Sequence, residues 1–275
     1  MNMQAPYTLD QTRRAASGRV TLVGAGPGDP ELLTVKAVNA IKRATVLLVD
    51  DLVNPEILAY APPRARIVQV GKRGGCVSTP QSFIEKLMTL AAQDGEEVVR
   101  LKGGDPFIFG RGGEEATHLR EAGVRIEIIN GITSGLAAST ALGVPLTHRD
   151  HAHGVVFMTG HNRPGDAATD WAALGATIDA CRLTLVIYMG LAGISEIQAG
   201  LLQALSGTTP AAVIRHATLA QQQSVTCTLA TLALTIREYD LRSPAILVIG
   251  DVVAGAQAIS HPQTLNSKTL AAMAA

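Results

Sequence analysis

Residues 98–115 read V-V-R-L-K-G-G-D-P-F-I-F-G-R-G-G-E-E, and this stretch decides the fold class. Val98, Val99 and Leu101 make a short apolar, β-branched run of the kind buried in parallel sheets; Gly103-Gly104-Asp105-Pro106 then ends it, since no regular element continues through that sequence. In open α/β sheets, ligands bind in the loops that follow the C-terminal ends of strands. Paired glycines let backbone groups approach a ligand with no Cβ in the way. A second glycine-rich break at 110–113 precedes Glu114 and Glu115, whose charges suit the first turn of a helix. Arg100, Lys102 and Arg111 bring three cations to this one locality, which predicts an anionic ligand.

Upstream, the same grammar repeats. Residues 19–23 form an apolar strand running into Gly24-Ala25-Gly26-Pro27-Gly28-Asp29-Pro30, where Asp29 is expected to cap a helix with an apolar face of Leu32, Val35, Val38 and Ile41. The loop fits a dinucleotide site poorly. Asp29 stands where the fingerprint needs glycine, and Pro27 lacks a backbone donor; no Gly-Lys-Ser/Thr follows to make a phosphate-binding loop. A second strand, 45–49, ends at Asp50 and Asp51, which could hold a ribose, act as a base or cap the next turn. A third, 67–70, delivers Gly71-Lys72-Arg73-Gly74-Gly75, and Thr79-Pro80 opens a helix reaching about residue 92.

Downstream, a fifth strand at 126–129 leads through Gly131-Ile132-Thr133-Ser134-Gly135 into an Ala-rich helix ending near Gly143. Five strands with intervening helices predict a doubly wound parallel sheet whose C-terminal loops share one edge. Residues 144–153 read as a polar connection; their three histidines have no carboxylate or thiolate placed to complete a metal site, so none is expected. Beyond it come strands at 154–159, 183–189, 211–215, 224–228 and 245–249, with helices from about 194 and near 231–239, a spacing that predicts a mixed sheet. The expected organisation is an N-terminal α/β domain at 18–147 and a C-terminal α/β domain at 148–260. Poorly ordered tails are expected at 1–17 and 261–275.

Composition narrows the function classes. The 275 residues balance 23 Lys plus Arg against 23 Asp plus Glu, so no global field advertises nucleic acid or a membrane surface. Three scattered cysteines, no signal-type apolar segment and no long uncharged run predict a cytoplasmic protein without disulfides or membrane spans. No G-x-S-x-G or H-E-x-x-H occurs, and one tryptophan gives no stacking platform for nucleic acid. His118 and His216 are isolated and read as packing or solvent-facing residues.

The loop following strand one, Gly71-Lys72-Arg73, the central stretch, Pro145-Leu146-Thr147-His148-Arg149-Asp150 and Tyr188-Met189-Gly190-Leu191 together resemble the S-adenosylmethionine-dependent tetrapyrrole methylases. The resemblance runs from about residue 19 to 253, with the motifs in family order, and is nearest to the branch that methylates uroporphyrinogen III. It implies two α/β domains with the active site in the cleft between them, and a homodimer. It also implies transfer of two methyl groups to C2 and C7 of uroporphyrinogen III, giving precorrin-2 for sirohaem, cobalamin or haem d1, with S-adenosylhomocysteine as the other product. Some relatives carry a further dehydrogenase/ferrochelatase module that the resemblance does not include, so precorrin-2 is the expected end point. By position, Pro27, Gly103, Gly104, Asp105, Ile108, Thr133, Ser134, Met189 and Ala217 fall where the family contacts S-adenosylmethionine, mostly through backbone. Asp50 and Lys72 fall at the positions of a proton acceptor and donor. Arg111, Glu114 and Arg149 fall at positions implicated in handling the substrate, whose carboxylates suit local cations.

The sequence departs from the family pattern at Asp51, where arginine is common, Val77, where histidine is, Asn130, where proline is, and Ala141-Leu142, where Tyr-Ala is usual. Asp51, Val77 and Ala141 motivate an alternative of a different class, a tetrapyrrole-binding or scaffold protein with impaired turnover. The first loop and Asp50 motivate another, a nicotinamide oxidoreductase, which Pro27 and Asp29 oppose.

Overall fold

A computed structural model describes residues 18–71, 79–161, 165 and 167–255. The expected tails, and Lys72 with the rest of its glycine loop, lie outside the described residues. The chain divides into two compact units, one comprising the chain up to Ala25 with Leu33–Gly131, the other Gly26–Leu32 with the chain from Ile132 onward.

In the first unit β1 (Arg19–Gly24), β2 (Val46–Val49), β3 (Arg66–Gln69), β4 (Glu97–Lys102) and β5 (Arg125–Ile129) form the expected all-parallel sheet, in the order β3-β2-β4-β1-β5. The central strands alternate between two cores. Val23, Leu47, Val49, Val99 and Leu101 meet helix α1 (Val35–Ile41) on one face. On the other, Val20, Leu22, Val46, Leu48 and Val98 meet α2 (Gln81–Gln93) and α3 (Gly112–Glu121). Both faces are covered, as parallel sheets require.

The first helix differs from expectation. Pro30–Leu32 is an isolated 3-10 turn, with the Asp29 carboxylate accepting the Glu31 N–H, and the α-helix starts only at Val35, capped by Thr34, whose hydroxyl accepts the Ala37 N–H. Its core face is Ala37, Ala40 and Ile41, while Val35 is 79% exposed. The cause lies in the second unit, to which 26–32 belongs: the Asp29 N–H donates to Thr218 Oγ1, and Leu219 fills the space where Gly28 would carry a Cβ.

The second sheet is mixed, in the order β6-β7-β10-β8-β9. Its strands are β6 (Gly154–Thr159), β7 (Leu183–Tyr188), β8 (Pro210–Arg215), β9 (Gln223–Thr228) and β10 (Ala245–Ile249), with only β6 and β7 parallel. Helix α4 (Ser134–Leu142), closed by Gly143 at φ +72°, packs on β7 and β10 and therefore belongs to this unit. The division thus falls at 131/132, before α4, where the expected boundary stood at 147/148. Helices α5 (Trp171–Cys181), α6 (Ile194–Leu201) and α7 (Leu232–Glu238) pack on the opposite face around Leu185, Ile187, Val213 and Leu247. The sequence does not announce α5: its Ala- and Gly-rich run has little apolar period, and packing defines it.

Alpha-helices α5 and α6 touch through glycine. A Cβ on Gly200 would stand 2.5 Å from Trp171 Cβ, an atom with no freedom to retreat. Gly200→Ala should therefore force the two helices apart and cost about 1–3 kcal/mol, read as a lowered urea midpoint at constant slope.

Candidate active site

The C-terminal end of the parallel sheet carries the charge. Arg100 and Lys102 sit one pleat apart on β4, so both point to the α3 face, where they are 2% and 3% exposed. Two cations in a covered core need a counter-ion, and α3 supplies it. Glu115, fully buried, accepts through Oε1 from Arg100 Nε at 3.3 Å, Lys102 Nζ at 3.1 Å and Gln81 Nε2 at 3.0 Å. Burial, reinforced by the Arg100 charge, holds the Lys102 ammonium below its usual range against the opposing pull of Glu115 and Asp50. This corrects the expectation that Arg100 and Lys102 await an anionic ligand: their charges are spent inside the fold.

Arg100 also reaches Asp50. Its Nη2 lies 3.3 Å from Asp50 Oδ2, while Oδ1 accepts the Asp51 N–H at 3.1 Å. Asp50 is thereby fixed at the end of β2, half-exposed beside a cavity of about 280 Å3 lined by Asp51, Val53, Pro55, Leu58 and Gln69 among others. It caps no helix; the following 3-10 turn, Pro55–Tyr60, is capped by Asn54.

The glycine loop serves close approach. Gly104 has φ +67°, and a Cβ on Gly24 or Gly131 would come within 2.4 Å of backbone atoms, Gly131 N for the first and Gly104 O for the second. Three strand ends thus meet backbone to backbone, a packing only glycine permits. The Asp105 carboxylate fastens them, accepting from Phe107 N at 2.8 Å, Gly131 N at 3.1 Å and Asn130 Nδ2 at 3.2 Å. Its side chain is therefore structural, which leaves backbone as the loop's means of contact. Asn130, a departure from the family pattern, contributes one of those donors. Ile108 is half-buried just beyond, with its N–H directed to the Asp105 carbonyl at 3.4 Å.

Arg111 begins α3 in the left-handed region, φ +57°, and is exposed with a two-pronged pair to Glu114, whose hydrogen bond raises its pKa. In the second unit the Thr133-Ser134-Gly135 turn is bonded to Tyr188, beside Met189, and Asp29, two residues beyond Pro27, to Thr218, beside Ala217. Arg149 is exposed on the turn between His148 and Ala152, which bond backbone to backbone. His148 and His151 stack at 4.7 Å, and among the described residues no group of three or more His, Cys, Asp or Glu could hold a metal. No helix among them is long and apolar enough to cross a membrane. Cys181 and Cys227 are free thiols, and Val77 and Cys76 lie outside the described residues.

Backbone strain coincides with these positions. Seven described non-glycine residues have positive φ, and five of them are Arg111, Phe109 beside Ile108, Met189, and His216 and Thr218 on either side of Ala217. Such conformations cost of order 1–3 kcal/mol and concentrate where a fold serves a ligand. Burial, with the Arg215 charge, keeps the His216 imidazole below its usual pKa.

A doubly wound sheet with a fixed carboxylate and a glycine loop at its C-terminal edge, followed in the chain by a mixed α/β unit, defines a two-domain α/β protein with a candidate small-molecule site at its strand ends. A profile of the tetrapyrrole (corrin/porphyrin) methylases matches residues 19–233, and the chain belongs to that family. It is similar to a uroporphyrinogen-III C-methyltransferase of Pseudomonas aeruginosa, 52% identical over 91% of this chain and 100% of the relative. One of Bacillus subtilis is 49% identical over 86% of this chain and 91% of its own. The fold is similar to the crystal structure of a uroporphyrin-III C-methyltransferase from Thermus thermophilus complexed with S-adenosylhomocysteine, with TM-score 0.73 and 39% identity over 86% of this chain and 100% of that one.

Sequence reasoning assigns no functional role to Asn130, Thr218 or Tyr188, and gives Glu115 only a place in the first turn of a helix. Glu115 had a signal: two cations alternating with Val99 and Leu101 on a strand covered on both faces demand a buried carboxylate. Glu115→Gln, which keeps shape and removes the charge, should lower stability by about 3 kcal/mol in equilibrium denaturation, since it leaves two buried cations against Asp50 alone.

Proposed function

We propose that this chain methylates uroporphyrinogen III at C2 and C7 with S-adenosylmethionine, giving precorrin-2 for the sirohaem and cobalamin routes. The observation that carries the proposal is Asp50, held by Arg100 at the ligand-facing end of β2 in a chain 52% identical, over the whole length of the relative, to an enzyme named for this reaction.

The chain fits the methyl donor where a cradle of backbone is needed. By their positions in the family pattern, Gly103, Gly104, Asp105, Ile108, Pro27, Thr133, Ser134, Met189 and Ala217 would hold it. The glycine contacts leave no room for side chains at the strand ends, and the Asp105 carboxylate is already engaged within the fold. When bound, S-adenosylmethionine supplies an electrophilic methyl on a sulfonium centre. A pyrrole carbon is nucleophilic enough to need alignment rather than covalent activation. Methylation leaves positive charge on the macrocycle, and Asp50 stabilises that charge and accepts the proton whose loss restores conjugation. Arg100 keeps the carboxylate aimed, and Lys72 serves as proton donor. Arg111 and Arg149 take the acetate and propionate groups; Arg111 exchanges its exposed Glu114 partner for a substrate carboxylate at little cost, because exposed ion pairs contribute only about 0–1 kcal/mol.

Anaerobic incubation with uroporphyrinogen III and S-adenosylmethionine should yield a dimethylated product by mass spectrometry. Binding of S-adenosylhomocysteine without any product would mark a tetrapyrrole-binding protein instead. Asp50→Asn should lower kcat by a hundredfold or so with the Kd for S-adenosylhomocysteine nearly unchanged, because the lost charge acts in the transition state. A weakened Kd with wild-type single-turnover rate would assign Asp50 to ligand positioning. The functional unit is a homodimer, and light scattering at micromolar protein should return twice the chain mass of 28.7 kDa.

A further inference from the structure

Tyr188 ends β7 with a buried ring that meets Phe157 edge-on at 5.9 Å. Its phenol oxygen lies 2.7 Å from Thr133 Oγ1 and accepts the Gly135 N–H at 2.8 Å. Thr133 is the N-cap of α4, yet its side chain makes no capping bond. An N-cap side chain ordinarily accepts the N–H of the second or third helical residue. Here a tyrosine from another strand does so, at the second residue of α4. The contact is built rather than incidental: a Cβ on Gly135 would stand 2.4 Å from the phenol oxygen and 2.9 Å from Val186 Cγ1. The next residue along the chain is Met189, held at φ +55°.

We propose that Tyr188 is a positioning residue for the methyl donor, its phenol oxygen locking the Thr133-Ser134-Gly135 turn to the strand end that presents Met189. The inference rests on the assignment of Thr133, Ser134 and Met189 to S-adenosylmethionine. It follows from where the cost of losing the oxygen falls. With no ligand bound, a released Gly135 N–H regains a partner when the turn shifts toward water. With the ligand bound the turn must stay in place, so the unmet N–H weakens binding rather than the fold alone. A residue that only packs would show the opposite pattern, a stability loss with binding unmoved.

Calorimetric titration of S-adenosylhomocysteine, with steady-state kinetics and thermal unfolding alongside, tests this in Tyr188→Phe. The Kd and the KM for S-adenosylmethionine should rise about tenfold, while the KM for uroporphyrinogen III is unchanged and kcat at saturating methyl donor falls by less than about threefold. A lowered Tm with Kd and KM at wild-type values overturns the proposal. Gly135→Ala gives a test independent of that variant, because it drives a methyl against the oxygen with Tyr188 in place; the same selective rise in Kd is expected, and an unchanged Kd overturns the proposal. Adding Gly135→Ala to Tyr188→Phe should cost less than adding it to wild type, and equal costs would show that the oxygen is not what the turn rests on. Wild-type protein that binds no S-adenosylhomocysteine would remove the methyl-donor assignment itself, a result distinct from a variant that binds as well as wild type.

Discussion

The carboxylate of Glu115 is the interaction on which the first unit depends. An unpaired charge is very costly inside a sheet covered on both faces, and here two cations lie there on the central strand. One oxygen of Glu115 meets Arg100, Lys102 and Gln81 together, so α2, α3 and β4 are fastened at a single atom. That fixes the placement of α3, and with it the path of the 103–111 loop that must join β4 to its first turn. Arg100 then carries the constraint outward to Asp50, giving the carboxylate proposed for chemistry an orientation set by the core.

At the same end of the sheet the glycine loop works by close approach. Gly24, Gly104 and Gly131 bring three strand ends together without side chains, and Asp105 closes the arrangement from within by accepting three hydrogen bonds. In the second unit Tyr188 and Thr218 do comparable work, one capping α4 and the other receiving the 26–32 loop. Side-chain support for backbone turns at the strand ends is the common principle. Around two of the positive φ values, hydrogen bonds hold the turn: the His216 carbonyl accepts the Leu219 N–H and the Thr218 N–H donates to Gln222 Oε1.

Much of this is legible in the chain. The β-branched runs ending in glycine loops predict the parallel sheet and its five strands, and irregular strand spacing predicts the mixed sheet. Where the expectations miss, a contact distant in sequence overrides a local pattern. The 26–32 loop would open a helix by its own capping signals, but Thr218 and Leu219 draw it into the second unit, and α1 restarts at Thr34. Helix α4 follows β5 without a break in the pattern, yet it packs on β7 and β10. Arg100 and Lys102 look like ligand-binding charges because sequence shows their sign and not their burial.

The sequence by itself determined the element types, the glycine loops and the residue kinds available for chemistry, because strand alternation, turn residues and motif spacing are local properties of the chain. Tertiary structure alone decided which charges are exposed and which are spent inside the fold, which unit owns each loop, and which side chain holds each turn. Those outcomes depend on pairs such as Arg100 with Glu115, Asp29 with Thr218 and Gly135 with Tyr188, and a hydrogen bond or ion pair between distant residues exists only once packing brings its partners within about 3 Å.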